Sequence, residues 1–582
     1  MIPDFLSYKV KVKPQIYTTK QGMLYENMAS ISFYDEYKRE VHYQELAYID
    51  VEDIYILIDN KLTVNLDDCY IENFSLKSYR KSRGLEPEAK VIIHNFSAKG
   101  TIFDSKIETD FYHADFDDHD ISFKEAAFIS GRVNFHGSAL HDGNVDFTYT
   151  QFFNGNFNFS NTTAGKGKID FKNATFKNGV KDFQYAAFGD GDVIFTNTEF
   201  GIGDVSFINA DFGDGNVSFK VARFGKGNIE FHFSKFGAGE ISFERAEFGD
   251  GKVDFRKVEF SDGKVNFNRA IFGDGEVTFE GSALNNSKMT FKKTIFGFGH
   301  IRFEEVEYME AELIFDNTTF GKGNVYFGKS HFKKLDIVSC HLNAYFDLRV
   351  SHCSYLDLSD NIIRDIVDFT PYDHPVDIKI LNLSGVRMIG HIYIDWDKNN
   401  VEKIINQQKF TDHNQKAEQF RVLKENFGKT GNYNYEDLAY IQFKRNEQKG
   451  TLENALKKNK LNAVLHYPLY LFKLIIFDKM GLYATSPIRV FTSLLLVYII
   501  ISLNYLILPF FLDTSINCIK EDSSFLYRAL DTFYYSMITF GTVGYGDCSP
   551  VGFLRFVASV EAFVGPFMMS YFTVAFARKI LR

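Results

Sequence analysis

Residues 188–212 read FGDGDVIFTNTEFGIGDVSFINADF, so that one twelve-residue unit is followed directly by a second unit of the same kind. The unit, F-G-x-G-x-V-x-F-x-x-A-x, recurs from about residue 111 to residue 332 with almost no change of spacing. The chain of 582 residues contains 63 phenylalanines and a single tryptophan, and such a bias is typical of a repeat that reuses one core residue. The sequence therefore predicts a repeat architecture for this part of the chain.

Two series of large apolar residues, each with a period of twelve, mark the repeating positions. The first series is Phe195, Phe207, Phe219, Phe231, Phe243, Phe255, Phe267, Phe279, Phe291, Phe303, Phe315 and Phe327. The second series is Phe188, Phe200, Phe212, Phe224, Phe236, Phe248, Phe260, Phe272, Leu284, Phe296, Tyr308, Phe320 and Phe332. A valine, isoleucine, leucine or methionine stands two positions before each first-series phenylalanine, and this spacing places both side chains on one face of a strand.

We interpret the repeat as a β-solenoid, in which successive turns stack and equivalent residues form ladders. A turn of twelve residues is too small to enclose two phenylalanines, a valine and an alanine, so we expect two units per turn. The Gly-x-Gly element is predicted to form the corner, because glycine adopts positive φ angles at low cost. Residues 111–332 are assigned to the solenoid of twelve-residue repeats, and residues 333–408 to its irregular β continuation. Residues 1–110 are assigned to an N-terminal β-rich cap, with predicted strands at Ala47–Val51 and Ile54–Ile58.

The F-x-x-A-x-F half of each unit resembles the pentapeptide-repeat family, although the other half has a seven-residue spacing between phenylalanines. The resemblance implies a right-handed β-solenoid. The first five residues, Met1–Phe5, lack the basic start and the apolar run of a signal peptide. The solenoid is therefore expected to lie in the cytoplasm.

After the β-rich part, the pattern becomes helical. Residues 409–459 are predicted to form a helical hairpin that links the solenoid to the rest of the chain, with Phe420, Leu423 and Phe427 on one face and Gly428 as the stop of the first helix. Residues 460–487 mix apolar and basic residues and are predicted to lie along the inner membrane surface. The alternative for this segment is a buried helix of a soluble protein.

Two apolar segments follow and are long enough to cross a membrane. The first is assigned to residues 488–512 and the second to residues 551–577. Basic residues lie before or at the start of the first segment and after the end of the second: Lys473, Lys479, Arg489, Arg578, Lys579 and Arg582. Since basic residues stay on the cytoplasmic side, we expect a multi-pass protein of the cell (inner) membrane with both termini in the cytoplasm.

Between the two apolar segments lies the hexapeptide Thr542-Val543-Gly544-Tyr545-Gly546-Asp547. Rings of backbone carbonyl groups can replace the water shell of a potassium ion, and the carbonyls of Thr542, Val543, Gly544 and Tyr545 are predicted to bind K⁺. Glycines at 544 and 546 allow the φ angles that turn the carbonyls inward. No other cofactor is expected. The sequence therefore predicts a potassium selectivity filter.

This arrangement resembles the two-transmembrane bacterial potassium channels, and the resemblance covers about residues 460–582. It implies a homotetramer in membrane lipid, with a pore helix at residues 527–540 and the filter at residues 542–547 above a water-filled cavity. By this resemblance, Asp547 stands at the outer mouth.

The resemblance also assigns residues that support the filter. Tyr534 is expected to face Asp547, Tyr535 is expected to lie near Tyr545, and Thr539 is counted with them as filter support.

Two positions depart from the pattern of that family. Gly541 stands where the family usually has a second threonine, and this difference is expected to loosen the base of the filter. Ile538 stands where some members have a glutamate, so a carboxyl pair behind the filter is lost.

The second apolar segment contains candidate gating residues. Gly565 and Pro566 fall where the family bends its inner helix, and they are predicted to form a gating hinge; a static bend is the alternative. Thr573 and Ala577 are small enough to line a cytoplasmic gate. Glu561 is an acid inside a membrane segment, which by default marks function, although a structural hydrogen bond is at least as good an interpretation.

Cys518 and Cys548 are both expected to face the outside, where disulfides persist. A disulfide between them and a pair of free thiols both remain open. The five cysteines of the chain show no spacing typical of a zinc site.

We predict a potassium-selective channel subunit that conducts passively. The chain ends five residues after Ala577, so gating is expected to come from the N-terminal solenoid. The solenoid could sense a ligand or a partner protein, assemble the tetramer, or mimic DNA as some pentapeptide-repeat proteins do. Nucleic acid is not an expected partner, because acidic and basic residues alternate at the Gly-x-Gly corners and the net charge is −10.

The alternative function is a scaffold or interaction protein with a vestigial or weakly selective cation pore. No nucleophile and base pair and no phosphate-binding loop is evident, so the chain is not expected to be an enzyme.

Overall fold

The structure is a computed structural model that describes residues 1–307, 310–458, 463–519 and 523–581. The chain divides into two compact units, Met1–Gln408 and Lys409–Arg582. Tyr308 of the second series, Arg582 of the basic flank, and the predicted boundary between residues 459 and 460 lie outside the described residues.

The first unit begins with an antiparallel sheet of the strands Ser7–Lys13, Asn27–Tyr34 and Glu40–Tyr48. A small hairpin of Tyr17–Thr18 and Leu24–Tyr25 accompanies it. The strand Glu40–Tyr48 then pairs in parallel with Cys69–Glu72, where Ala47 lies opposite Cys69. The antiparallel sheet therefore continues directly into the parallel ladders that follow.

Two helices interrupt the first turns: α1, Val51–Asp59, and α2, Leu76–Ser82. The prediction of a strand at Ile54–Ile58 was wrong, because these residues lie within α1. The side chain of Asp50 accepts a hydrogen bond from the backbone N–H of Glu52 and caps this helix at its N-terminus. A short apolar run does not by itself distinguish a buried strand from a buried helix.

A β-solenoid extends across residues 47–393 with about 14 turns, so the parallel stacking continues on both sides of the strictly periodic region. Equivalent strands pair at a distance of 24 residues, as Val193 does with Val217 and Val217 does with Ile241. One turn therefore holds two repeat units, which confirms the prediction of two units per turn.

The strands of the solenoid are short, and successive turns use the same positions. They are Thr63–Asn65, Cys69–Glu72, Val91–Ser97, Ile102–Asp110, Ala114–Phe116, Ile121–Ser122, Ala127–Asn134, Ala139–His141, Val145–Asp146, Gln151–Phe152, Phe157–Asn158, Thr163–Ala164, Ile169–Asp170, Thr175–Phe176, Lys181–Asp182, Val193–Ile194, Val205–Ser206, Val217–Ser218, Ile229–Glu230, Lys235–Phe236, Ile241–Ser242, Val253–Asp254, Glu259–Phe260, Lys264–Asn266, Val277–Thr278, Lys288–Thr290, Ile301–Arg302, Glu312–Asp316, Val325–Tyr326, His331–Val338, His341–Leu342, Phe346–Asp347, His352–Asp357, Ile362–Ile363, Ile366–Asp368, Leu381–Asn382, Arg387–Met388 and His391–Tyr393.

Ladders of phenylalanine rings form the core of the solenoid. The rings of Phe195 and Phe219 stack with their centroids 4.8 Å apart, and Phe219 stacks on Phe243 at the same distance. Phe207, half a turn away, meets Phe195 edge to face at 5.7 Å. Burial of one phenylalanine contributes about 1.5–3 kcal/mol, and each ring pair adds about 0.5–1.5 kcal/mol. The repeated ladder thus explains the unusual phenylalanine content.

The Gly-x-Gly glycines have a different role from the one predicted. In the repeats between residues 225 and 323, a positive φ angle occurs two residues after each first-series phenylalanine, as at Phe233 and Arg245, and none occurs on the Gly-x-Gly glycines. A Cβ atom on Gly249 would lie 2.0 Å from the carbonyl oxygen of Gly225 in the preceding turn. The prediction of positive φ was therefore wrong for these repeats. Glycine is required because the stacked turns leave no room for a side chain.

Lys181 is an exception to the apolar core. It occupies the position that holds valine in other units and is only 1% exposed, and its Nζ donates a hydrogen bond to the carbonyl oxygen of Ile202 at 2.9 Å. Burial lowers the pKa of Lys181 to about 8, and nearby Asp204 opposes this shift. A buried ammonium group without a carboxylate at hydrogen-bond distance costs stability.

Lys181→Val is therefore expected to stabilise the solenoid by about 2–3 kcal/mol at pH 7. The folded protein releases this proton near pH 8 and the unfolded chain near 10.5, so the unfolded state holds more protons between these values and wild-type stability rises with pH. Thermal unfolding of the full-length protein in detergent, scanned from pH 7 to pH 10.5, measures the difference between wild type and variant. The exposed Lys220→Val is the control. A gain that does not shrink as the pH rises would contradict the account.

The C-terminal end of the solenoid is closed by α3, Val401–Asn406, whose Val401, Ile404 and Ile405 are buried. The side chain of Asn399 donates a hydrogen bond to the carbonyl oxygen of Phe369 in the last turns. The apolar core is thereby shielded from water at this end.

The second unit begins with an antiparallel helical hairpin of α4, His413–Lys429, and α5, Tyr433–Lys458. Phe420, Leu423 and Phe427 of α4 are buried, as their spacing predicts. Gly428 is not the stop, because α4 continues to Lys429 and the turn that follows uses Gly431 at a φ angle of +75°.

Helix α6, Ala463–Phe472, continues as a π-helical segment, Lys473–Lys479. Most of its apolar side chains are exposed, including Leu465 and Phe472. The location of this segment along the inner membrane surface stays a prediction.

Candidate functional site

The second unit contains two helices that are long and apolar enough to cross a membrane. The first span, Pro487–Phe510, consists of α7, Pro487–Ile507, and a 3₁₀ turn, Leu508–Phe510; the second is α9, Leu554–Ile580. The shorter helix α8, Phe525–Phe540, lies between them in the chain and packs against both. The three helices form the frame around the predicted filter.

The predicted filter begins at the C-terminal end of α8. The backbone N–H of Val543 donates to the carbonyl oxygen of Ile538 at 2.9 Å, and the N–H of Thr542 donates to the carbonyl oxygen of Thr539 at 3.0 Å. Gly544 and Gly546 have φ angles of +56° and +80°, the region in which glycine is favoured. The hydrogen bonds to the end of α8 therefore fix the start of the hexapeptide, and the two glycines allow the positive φ angles of the residues that follow.

All residues of the hexapeptide are exposed in the single chain, and the side chain of Tyr545 is 72% exposed. The hydroxyl group of Tyr534 donates to the Oδ2 atom of Asp547 at 3.3 Å. Tyr535 is buried against the ring of Tyr505 in α7, with centroids 5.1 Å apart. Within the described part of one chain, no ring contact joins Tyr535 to Tyr545.

Glu561 connects all three helices of the frame. It is completely buried, and its carboxylate accepts a hydrogen bond from the hydroxyl group of Tyr505 in α7 at 2.7 Å and from that of Ser536 in α8 at 2.5 Å. A buried carboxylate with two hydroxyl donors fixes its neighbours in place. Tyr505 and Ser536 were missed in the sequence. The only available signal was an acid within an apolar segment, which says nothing of its partners.

Gly565 lies where α9 touches the end of α8. A Cβ atom at this position would lie 2.0 Å from the carbonyl oxygen of Phe540 and 2.8 Å from its carbonyl carbon. Helix α9 continues through Gly565 and Pro566 without interruption. Close packing against the base of the predicted filter thus explains this glycine independently of any hinge.

The predicted gate residues lie near the other end of α9. The side chain of Thr573 is exposed and its hydroxyl group donates to the carbonyl oxygen of Met569 at 2.9 Å, while Ala577 is half-buried. In a single chain, Thr573 lies on the exposed face of α9 and Ala577 lies at the edge of that face.

A disulfide joins Cys518 to Cys548, the residue directly after Asp547. The same region contains a short antiparallel pairing of Ser515–Ile516 with Pro550–Val551. The segment that precedes α8 is thereby fixed to the segment that follows the predicted filter.

Replacing both Cys518 and Cys548 with serine is expected to destabilise the second unit by about 3 kcal/mol, because the disulfide closes a loop of about 30 residues. The midpoint of thermal unfolding in detergent measures the loss. A reducing agent should reproduce it in the wild type and change nothing in the double variant. An equal midpoint for oxidised wild type and double variant would contradict the expectation.

Residues 490–582 match a family model described as ion channel. The searches of curated proteins and of solved structures found no match. The C-terminal region that carries α7, α8 and α9 is thus an ion channel domain.

Proposed function

We propose that four copies of this chain form a potassium-selective channel in the cell (inner) membrane, and that the cytoplasmic N-terminal unit modulates its opening. The observation that carries the proposal is the exposed hexapeptide Thr542–Asp547 at the end of α8, with glycines at positive φ angles. Rings of backbone carbonyls bind dehydrated potassium, and a single chain cannot enclose an ion.

The polar surface of the hexapeptide also supports assembly. Backbone groups at membrane depth are tolerated only where they are buried in protein or line a water-filled cavity. Four hexapeptides around one axis would meet this requirement, with K⁺ held by the carbonyls of Thr542, Val543, Gly544 and Tyr545. The exposed apolar side chains of α7 and α9 are then free to contact lipid or the neighbouring subunit.

The test is potassium flux into liposomes that contain the purified protein, compared with Gly546→Ala. A Cβ atom at Gly546 meets no heavy atom within 4 Å, so the chain can still fold, but a φ angle of +80° is unfavourable for alanine. We expect potassium flux for the wild type and at least about a tenfold reduction of that flux for the variant. A strain of about 1.4 kcal/mol in the filter lowers the population of its conducting conformation about tenfold. Absence of wild-type flux would favour the scaffold with a vestigial pore.

A further inference from the structure

The cytoplasmic end of α9 is bound by helix α5 of the hairpin. Asp437 of α5 is only 6% exposed, and its two carboxylate oxygens accept from Nη2 of Arg578 and from Nζ of Lys579, each at 3.1 Å. Charge-assisted hydrogen bonds at a buried acceptor are stronger than neutral ones. A single acidic side chain thus holds both basic residues in the last turn of α9.

Two further contacts strengthen this attachment. The guanidinium group of Arg578 lies over the ring of Tyr440, 4.3 Å from its centroid, and its Nη1 donates to the carbonyl oxygen of Tyr483 at 3.4 Å. We refer to Asp437, Tyr440, Arg578 and Lys579 as the Asp437 cluster. Its residues come from one turn of α5 and one turn of α9.

The two helices also line a pocket beside the cluster. A cavity of about 510 Å³ lies beside the cluster, between Tyr440 and Lys444 of α5 and Tyr571 and Val574 of α9. The ion pairs and the ring contact of the Asp437 cluster join α5 directly to the end of α9. The end of α9 is also held by the segment before α7, because the hydroxyl group of Tyr571 accepts from the N–H of Ala484 at 3.1 Å and donates to the carbonyl oxygen of Phe477 at 3.2 Å. Loss of the cluster therefore changes the charge at that end without detaching the helix.

A second ion pair holds α5 to the segment that leads into α7. Arg445 donates through Nε and Nη2 to both oxygens of Asp478, at 2.9–3.2 Å, and Asp478 is buried. Helix α5 thus contacts both the segment before the first membrane span and the end of the second span. Along the chain, α4 and α5 are also the elements through which residues 1–408 continue into the channel domain.

We propose that Asp437 is the positioning residue through which the N-terminal part of the chain acts on the pore, by holding the cytoplasmic end of α9. The proposal rests on the proposed function, because it needs four α9 helices around one axis. Each cluster carries one acidic and two basic side chains, a net charge of +1. Movement of α5 away from Arg578 and Lys579 leaves two unmatched charges on every inner-helix end.

Coulomb repulsion between the helix ends determines whether Asp437 favours the open or the closed state. Four helix ends with two unmatched positive charges each repel one another more strongly than ends with a net charge of +1. Repulsion separates the ends, and separated ends correspond to the open state. Asp437 therefore favours the closed state.

The test is single-channel recording of the full-length protein in planar bilayers. Asp437→Asn raises the charge of the cluster to +2 and is expected to raise the open probability about threefold to tenfold. The double variant Asp437→Asn with Arg578→Gln returns the charge to +1 and should restore the open probability toward the wild-type value. A purely structural role of the hydrogen bonds would instead make the double variant worse. Glu425→Gln, an equal change on the exposed side of α4, is the control.

Arg578→Gln alone lowers the charge to zero and is expected to lower the open probability, which keeps the test decisive if Asp437→Asn does not assemble. Unchanged open probability in Arg578→Gln, or in a well-assembled Asp437→Asn, overturns the role of Asp437 while leaving the channel function intact. A wild-type protein that conducts nothing overturns the proposed function, and the role of Asp437 with it.

Discussion

Gly565→Ala is expected to abolish potassium flux and to destabilise the second unit. The added Cβ would lie 2.0 Å from the carbonyl oxygen of Phe540, and this neighbour is backbone that cannot rotate away. Helix α9 must then move from the end of α8, directly before Gly541 and the hexapeptide. Overpacking of this kind costs about 1–3 kcal/mol.

The direction in which Gly565→Ala changes the stability distinguishes a packing contact from a hinge. In a helix interior without a close contact, alanine is more stable than glycine by about 1 kcal/mol. A hinge without the contact would therefore give a variant that is more stable, retains its selectivity and changes only its open probability. Thermal unfolding in detergent and liposome flux separate the two cases, with the exposed Ser559→Thr as a control that adds a methyl group to the same helix. A stabilised, conducting Gly565→Ala protein would contradict the packing account.

Glu561→Ala is expected to have the second large effect. It leaves the buried hydroxyl groups of Tyr505 and Ser536 without their acceptor, and each unsatisfied buried group costs about 1–3 kcal/mol. The loss should therefore be several kcal/mol, with reduced flux because α8 is no longer held in place.

Glu561→Gln serves as the matched variant. The amide keeps an oxygen acceptor and nearly the same volume, so the loss should be about 1 kcal/mol. Stability is measured by the thermal midpoint in detergent and function by liposome flux. If alanine and glutamine behave alike, or if neither changes stability, the hydrogen bonds of Glu561 do not hold the frame together.

Much of the first unit could be predicted from its sequence. The period of the phenylalanines predicted that successive turns stack and which residues form the core, because every turn uses the same positions. The volume of the core residues predicted two units per turn. The role of the Gly-x-Gly glycines could not be predicted. Whether a glycine such as Gly249 is needed for φ or for space depends on how closely the turns stack, and local sequence carries no measure of that distance.

The candidate site shows the same division. The hexapeptide and its flanking spans are local patterns, and the sequence was sufficient to propose them. The partners of Glu561, the contact of Gly565 with Phe540, and the Asp437 cluster join residues that are far apart in the chain. Single polar residues such as Ser536 and Asp437 show no periodicity or spacing from which their interaction partners could be predicted.

The central claim is that residues Thr542–Asp547 select potassium. Its most direct test is the reversal potential of the wild-type protein in planar bilayers with potassium on one side and sodium on the other. The account predicts a reversal potential far from zero, with the sodium side positive because potassium carries the current, and this potential shifts toward zero when Gly546 is replaced by alanine. A wild-type current that reverses near zero would contradict it, because the pore would then pass both ions alike.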